Sequence, residues 1–158
     1  MKLSSQEEYG LRCLLQVARL ERDAPVPIAD VASREGLSTD YVAKLLRILR
    51  KHDLLTSVRG SQGGYRLARP ADQITVHDAI VALDGPLYDG GFCEAHTGKQ
   101  VSCVHSTSCS LRGLWRWVGS ALEQALAGVT LHDLLRGEGF VNNVLPPLHT
   151  PTTTEVTP

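Results

Sequence analysis

Residues 26–70 read VPIADVASREGLSTDYVAKLLRILRKHDLLTSVRGSQGGYRLARP, and the fold turns on this stretch. Pro27 suits the first position of a short helix in which Ile28, Val31 and Ala32 face inward. Gly36 ends that helix. Ser38 caps the next one. Its apolar side holds Tyr41, Val42, Leu45, Leu46, Ile48 and Leu49, and its polar side Lys44, Arg47, Arg50 and Lys51. Two short helices about the turn Glu35-Gly36-Leu37 form a helix-turn-helix pattern. Leu54 to Val58 reads as a strand, Arg59 to Gly64 as a tight glycine turn, and Tyr65-Arg66-Leu67 as the returning strand. A hairpin directly after a helix-turn-helix is a wing. The predicted fold class is mainly α with a small β-hairpin wing.

The flanks extend this unit. Ser4 or Ser5 caps a first helix with Glu7 and Glu8 in its first turn and Leu11, Leu14, Leu15 and Ala18 at helical spacing. Arg22 to Val26 reads as a turn. Thr75 caps a short helix through Val76, Ile80 and Leu83, stopped by Gly85 and Pro86. Residues 86–108 show no period and form a long loop containing glycines and cysteines. From Ser110 a long helix carries Leu111, Leu114, Trp115, Val118, Leu122, Ala125, Leu126 and Val129 at spacings of three and four. Thr130 to Leu135 is a last short helix. The end of the chain is rich in Pro and Thr and is expected to be disordered from 136 to 158.

Composition narrows the function classes. With 158 residues, 42% apolar and 21% charged, the chain can bury a core without disulfides. No apolar run reaches the roughly 20 residues a membrane span needs, and MKLSSQEEYG has no signal-peptide core. The expectation is a cytoplasmic protein with no membrane partner. No GxxxxGK[ST], HExxH or GxSxG occurs, so the common ATPase, zinc-protease and serine-hydrolase readings have no motif and an enzyme is not expected. The net charge of −1 hides an asymmetry: within 44–69 there are seven basic residues and one acidic residue, Asp53. That local excess points to a polyanion-facing surface, although a solvated basic helix face gives the same count.

A winged helix-turn-helix lays its third helix in the major groove of double-stranded DNA, with the start of that helix at the base edges. Here the start supplies Ser38, Thr39, Tyr41 and Lys44. In the wing, Gly60 and Gly63 let the backbone approach phosphate, and Arg59 can follow the minor groove. Arg50, Lys51 and Arg66 suit phosphate contacts that position the domain without reading sequence.

Cys13 lies on the apolar side of the first helix and reads as core. The other cysteines cluster as Cys93-x9-Cys103-x5-Cys109. Clustered loop cysteines in a chain without a signal peptide point to metal or redox chemistry rather than a structural disulfide. Three thiolates fall one short of the usual four ligands. His96, His105 or a carboxylate from a second subunit could complete the set. Spacing leaves zinc, an iron–sulfur cluster and a thiol switch open.

The runs MKLSSQEEYGLRCLLQVA and 26–70, the Cys loop, and CSLRGLWRWVGSALEQALAGVTLHDLL together resemble the IscR/NsrR group of bacterial winged-helix regulators over about residues 1–135. SVRGSQGGYRL is the most specific segment. The resemblance implies a homodimeric transcriptional regulator, acting as a repressor on a near-palindromic operator, with residues 110–128 as the dimerisation helix. It implies a redox- or nitric-oxide-sensitive iron–sulfur cluster, [2Fe–2S] or [4Fe–4S], held by Cys93, Cys103 and Cys109. In the iron–sulfur assembly regulators a His three residues after the last Cys completes the set; here that position is Arg112. In the nitric-oxide sensors a carboxylate near the start of the first helix reaches across the dimer, and Glu8 matches it, with Glu7 as neighbour. The family commonly has five residues between its first two cysteines, and this chain has nine. The alternative is a cluster-free or zinc-containing winged-helix regulator acting through a thiol switch or a partner protein. The expected organisation is a DNA-binding domain over 1–84, a cluster loop over 85–109, and dimerisation and terminal helices over 110–135.

Overall fold

The computed structural model describes residues 4–60, 62–86, 97, 99, 102–103, 105 and 108–144. The element order is α1 (Ser5–Leu20), α2 (Ile28–Glu35), α3 (Thr39–Lys51), β1 (Leu55–Val58), β2 (Gly64–Leu67), a 3₁₀ turn (Ala71–Gln73), α4 (Val76–Asp84), α5 (Ser110–Ala127), α6 (Leu131–Leu135) and α7 (Glu138–Val144). The sequence places these elements because their ends are chemically marked. Ser4 caps α1 in a reciprocal box with Glu7, and the Ser38 hydroxyl accepts from the Tyr41 amide to start α3. Gly36, at φ 66°, turns the chain left-handed between α2 and α3, a conformation that costs glycine little.

Cys13, Leu14 and Val17 of α1, Val31 and Ala32 of α2, and Val42, Leu45, Leu46 and Leu49 of α3 meet in one core. Leu54 and Leu55, Ile74, Ala79, Ala82, Leu83 and Leu131 close it. Gly10 lets α1 and α4 approach, since a Cβ there would run into the Leu83 side chain. Glu35 ties α2 to α1, accepting from Arg12 Nε at 2.6 Å and from Gln16 Nε2 at 2.6 Å.

The wing is antiparallel, with Leu55 opposite Leu67, Thr56 opposite Arg66, Ser57 opposite Tyr65 and Val58 opposite Gly64. A third segment joins it, against the sequence-based expectation. Val26, expected in a turn, pairs with Tyr65 through two backbone bonds of 2.8 and 2.9 Å, which ties the entry to α2 onto β2. Gly64 is required there, because a Cβ would strike the Val26 carbonyl.

Two capping boxes, Thr75–Asp78 and Thr130–Asp133, start α4 and α6 and lie side by side. Thr75 and Thr130 pair across a bridge flanked by Val76 N–H to Val129 O at 2.9 Å and Leu131 N–H to Ile74 O at 2.7 Å. Burial opposes charge on Asp78, but the Thr75 amide, the Arg69 guanidinium and the Thr75 hydroxyl outweigh it and hold the carboxyl below its usual range. The hydroxyl and amide of Thr130 do the same for Asp133. A carboxylate held low in the folded state adds stability above its unfolded pKa of about 4 and loses it as pH falls through the lower folded value. Asp78→Asn is therefore expected to lower stability by about 1 kcal/mol near neutrality and to match the wild type in strong acid. Melting curves across pH check this; a deficit that persists in acid would refute the assignment.

The C-terminal part departs from expectation in one place. The segment from 136 onward is ordered at first: Gly137 at φ 92° breaks the chain after α6, and α7 follows, with Arg136 lying 3.6 Å above the Phe140 ring. The apolar period of α5 is divided: Leu126 and the following Val129 pack with Val76 and Ile80 of α4, whereas the first half of the helix leaves its large apolar side chains exposed. Leu111 is 61% exposed, Leu114 47%, Trp115 45% and Trp117 69%. Among the described residues no helix is long and apolar enough to cross a membrane.

Candidate nucleic-acid interface and cysteine loop

The burial of α3 divides its residues cleanly. Val42, Leu45, Leu46 and Leu49 are buried, while Thr39, Asp40, Lys44, Arg47, Arg50 and Lys51 are exposed. At about 100° per residue, Asp40, Lys44, Arg47 and Lys51 share one narrow stripe in the exposed arc. Ser38 and Thr39 stand exposed at the leading end of the helix. The hydroxyl of Ser38 is already used as the cap.

Tyr41 is placed differently from the other residues at the helix start. It is half-buried, its ring meets Tyr9 edge-on at 6.1 Å, and its hydroxyl reaches the Ser5 carbonyl at 3.5 Å. It joins the start of α3 to the start of α1.

In the wing, Arg59 and Gly60 are exposed, Gly60 has φ 112°, and the Gly63 amide donates to the Gly60 carbonyl at 2.9 Å. Arg66, expected to touch phosphate, is engaged within the chain. Its guanidinium donates to the Asp23 carbonyl at 2.6 Å and lies 3.7 Å from Glu21, which also accepts from the Leu67 amide. Arg50 makes one long contact, 3.4 Å, to Ser57.

Arg69 has no mark in the sequence that separates it from the other basic residues around it. It binds the Asp53 carbonyl at 3.2 Å, the Gln73 carbonyl at 2.8 Å and Asp78 at 2.8 Å. Asp53 has φ 55°, so Arg69 braces the strained exit from α3 and links the wing to the paired capping boxes. Only the fold brings these four residues together.

Cys103 and Cys109 are half-buried free thiols, and Cys93 and His96 lie outside the described residues. Cys109 occupies the N-cap of α5, and its side chain makes no cap bond. Arg112, one turn on, donates to the carbonyl of the exposed His105 at 3.0 Å and so straps the loop between the two thiols. Cys13 is fully buried, and burial, with help from Glu35 and against Arg12, pushes its thiol up to about 12. It remains a protonated core residue. At the start of α1 the two glutamates divide: Glu7 is buried in the capping box, whereas Glu8 is exposed. Among the described residues no three of His, Cys, Asp and Glu gather as a metal site.

Residues 3–137 match the family model Rrf2, described as "Iron-dependent Transcriptional regulator". The chain is 35% identical over 144 residues to the HTH-type transcriptional regulator IscR of Sodalis glossinidius, covering 91% of this chain and 84% of that protein. It is 37% identical over 139 residues to protein rrf2 of Nitratidesulfovibrio vulgaris, covering 86% and 88%. Among solved structures it is similar to T. potens IscR (TM-score 0.67, 32% identity, 86% of this chain and 87% of that one). It is similar also to CymR, the global cysteine regulator of B. subtilis (TM-score 0.68, 29% identity, 86% and 97%). These relatives are regulators rather than enzymes, and the chain belongs to the Rrf2 family of DNA-binding, winged-helix transcriptional regulators.

Proposed function

We propose that the chain is a cytoplasmic homodimeric repressor of a near-palindromic operator, with DNA affinity controlled by an iron–sulfur cluster on Cys93, Cys103 and Cys109, and Glu8 reaching across the dimer. The observation that carries this reading is the pair of unbonded thiols, Cys103 ahead of α5 and Cys109 at its N-cap, next to a first half of α5 in which Leu111, Leu114 and Trp115 stand exposed. The donor set fits such a group. Two part-buried sulfurs have no disulfide or cap to serve, and Glu7 alone serves the α1 cap, leaving Glu8 available. A second copy covering Leu111, Leu114 and Trp115 supplies both an apolar partner surface and a route for a ligand from outside the chain. Residues 1–84 then read DNA, 85–109 hold the cluster and 110–135 pair the subunits.

On the DNA side, Lys44, Arg47 and Lys51 face the major groove, and Arg59 with the Gly60–Gly63 turn faces the adjacent minor groove. Thr39 stands beside Ser38, which starts the helix. Arg66 holds the wing against α1. Arg50 leans on the wing and supplies charge at its base.

A cluster, when bound, supplies a redox- and nitric-oxide-sensitive centre. The chain supplies the coupling. Glu8 lies one residue before Tyr9, whose ring packs on Tyr41 at the start of α3, and Ser5 in the same turn receives the Tyr41 hydroxyl. A shift of the first turn of α1 therefore moves the leading end of the reading helix. Half-sites about 34 Å apart make binding sensitive to small displacements of this kind.

The second reading, a cluster-free or zinc-holding regulator with a thiol switch or a partner protein, draws on the lack of a three-ligand group among the described residues and on the likeness to CymR. Iron, sulfide and zinc analysis with an absorption spectrum on protein purified without oxygen separates the two. The expected result is a coloured, iron-containing dimer that binds duplex DNA at low ionic strength. A colourless protein with one zinc per chain would favour the second reading, and a colourless monomer that ignores duplex DNA would overturn both.

A further inference from the structure

Asp40 is a lone carboxylate set in a cationic stripe. It is exposed, it sits in the first turn of α3, and Lys44, Arg47 and Lys51 extend the same line. Among the described residues neither an ion pair nor a hydrogen bond occupies its side chain, and Lys44, one turn away, makes no salt bridge to it. A negative charge here faces the phosphates of any duplex the helix enters, which weakens binding to DNA in general. It has a compensating use only if the carboxylate meets a donor in the groove.

We propose that Asp40 reads one base pair in each operator half-site by accepting a hydrogen bond from the exocyclic amino group of a cytosine. The chemistry of the base edges selects cytosine. An ionised carboxylate offers acceptors only. Guanine presents two acceptors, N7 and O6, and thymine presents O4, so each repels it. Adenine sets its N6 donor beside the N7 acceptor, which suits an amide better than a carboxylate. Cytosine presents its amino donor with no acceptor beside it. The proposal rests on the reading of α3 as the helix that enters the major groove.

The test is selection of duplexes from a random-sequence library by the wild type, D40N and D40A at one salt concentration, with the affinity of each protein for an unrelated duplex measured in parallel. The wild type is expected to enrich a motif with cytosine at a defined position of each half-site. D40A is expected to lose preference at that position, by about tenfold or more, while binding the unrelated duplex more tightly. D40N is expected to shift the preference toward adenine, because an amide pairs with N6 and N7 together. If Asp40 serves only the helix dipole, D40A has a lower melting temperature and an unchanged motif, and the proposal is overturned. A wild-type protein that enriches no motif overturns the proposal together with the sequence-reading role of α3, whereas a motif that survives in D40A overturns the proposal alone.

Discussion

Replacing Cys103 or Cys109 by alanine is expected to abolish the visible absorption of protein purified without oxygen. Both sulfurs are uncommitted, half-buried and outside the hydrophobic core, so their removal takes ligands from the site without opening a cavity in the fold. The melting temperature of the metal-free protein should therefore stay near that of the metal-free wild type. Cys13→Ala provides the opposite control. Its thiol is fully buried among Leu14, Val17 and their neighbours and is held protonated by burial, so the variant should keep its colour and lose stability, by about 1 kcal/mol or more. Glu8→Ala should change the spectrum or the lifetime of the cluster without removing the three thiolates. Full chromophore in both C103A and C109A would strike those residues from the ligand set.

The second large effect is on DNA. The double variant Lys44→Ala/Arg47→Ala is expected to weaken binding to every duplex, specific or not, by at least tenfold at moderate salt. It should also reduce the slope of log affinity against log salt by about two, because each cation removed leaves one phosphate with its counterions. Arg66→Ala should behave differently, although it too removes a positive charge. Its guanidinium is occupied by the Asp23 carbonyl and Glu21, so its loss should loosen the wing and lower the melting temperature while leaving most of the salt slope in place. Affinity measured from low to high salt, with melting curves on the same samples, distinguishes the two. A double variant with the wild-type slope would show that α3 does not lie against phosphate.

Much of this architecture is legible in the residues because its determinants are local. Ser4, Ser38, Thr75 and Thr130 accept from amides no more than three residues away, and Gly36 needs only its own left-handed φ. The apolar period of α3 separates its buried and exposed faces without reference to any partner helix. The glycine turn between Val58 and Tyr65 announces the hairpin for the same reason.

The candidate site is less legible, because charge and cysteine spacing name residue types and not their neighbours. Arg59, Arg66 and Arg69 look alike in sequence. In the fold Arg59 stands in solvent, Arg66 clamps the wing to the end of α1, and Arg69 joins Asp53, Gln73 and Asp78 across gaps of up to 16 residues. Tyr41 reads as a groove-facing residue in the sequence, whereas the packing of α1 on α3 sets Tyr9 against it.

What the sequence determined by itself is the winged helix-turn-helix, with its caps, turns and the basic face of α3, since each depends on interactions within a few residues. Only the tertiary structure decided which cations are spent inside the chain, that Glu7 is used and Glu8 is spare, and that the first half of α5 leaves its apolar side chains exposed while the second packs on α4. Those outcomes depend on which distant groups compete for the same donors, acceptors and buried surface, and that competition exists only once the helices have packed.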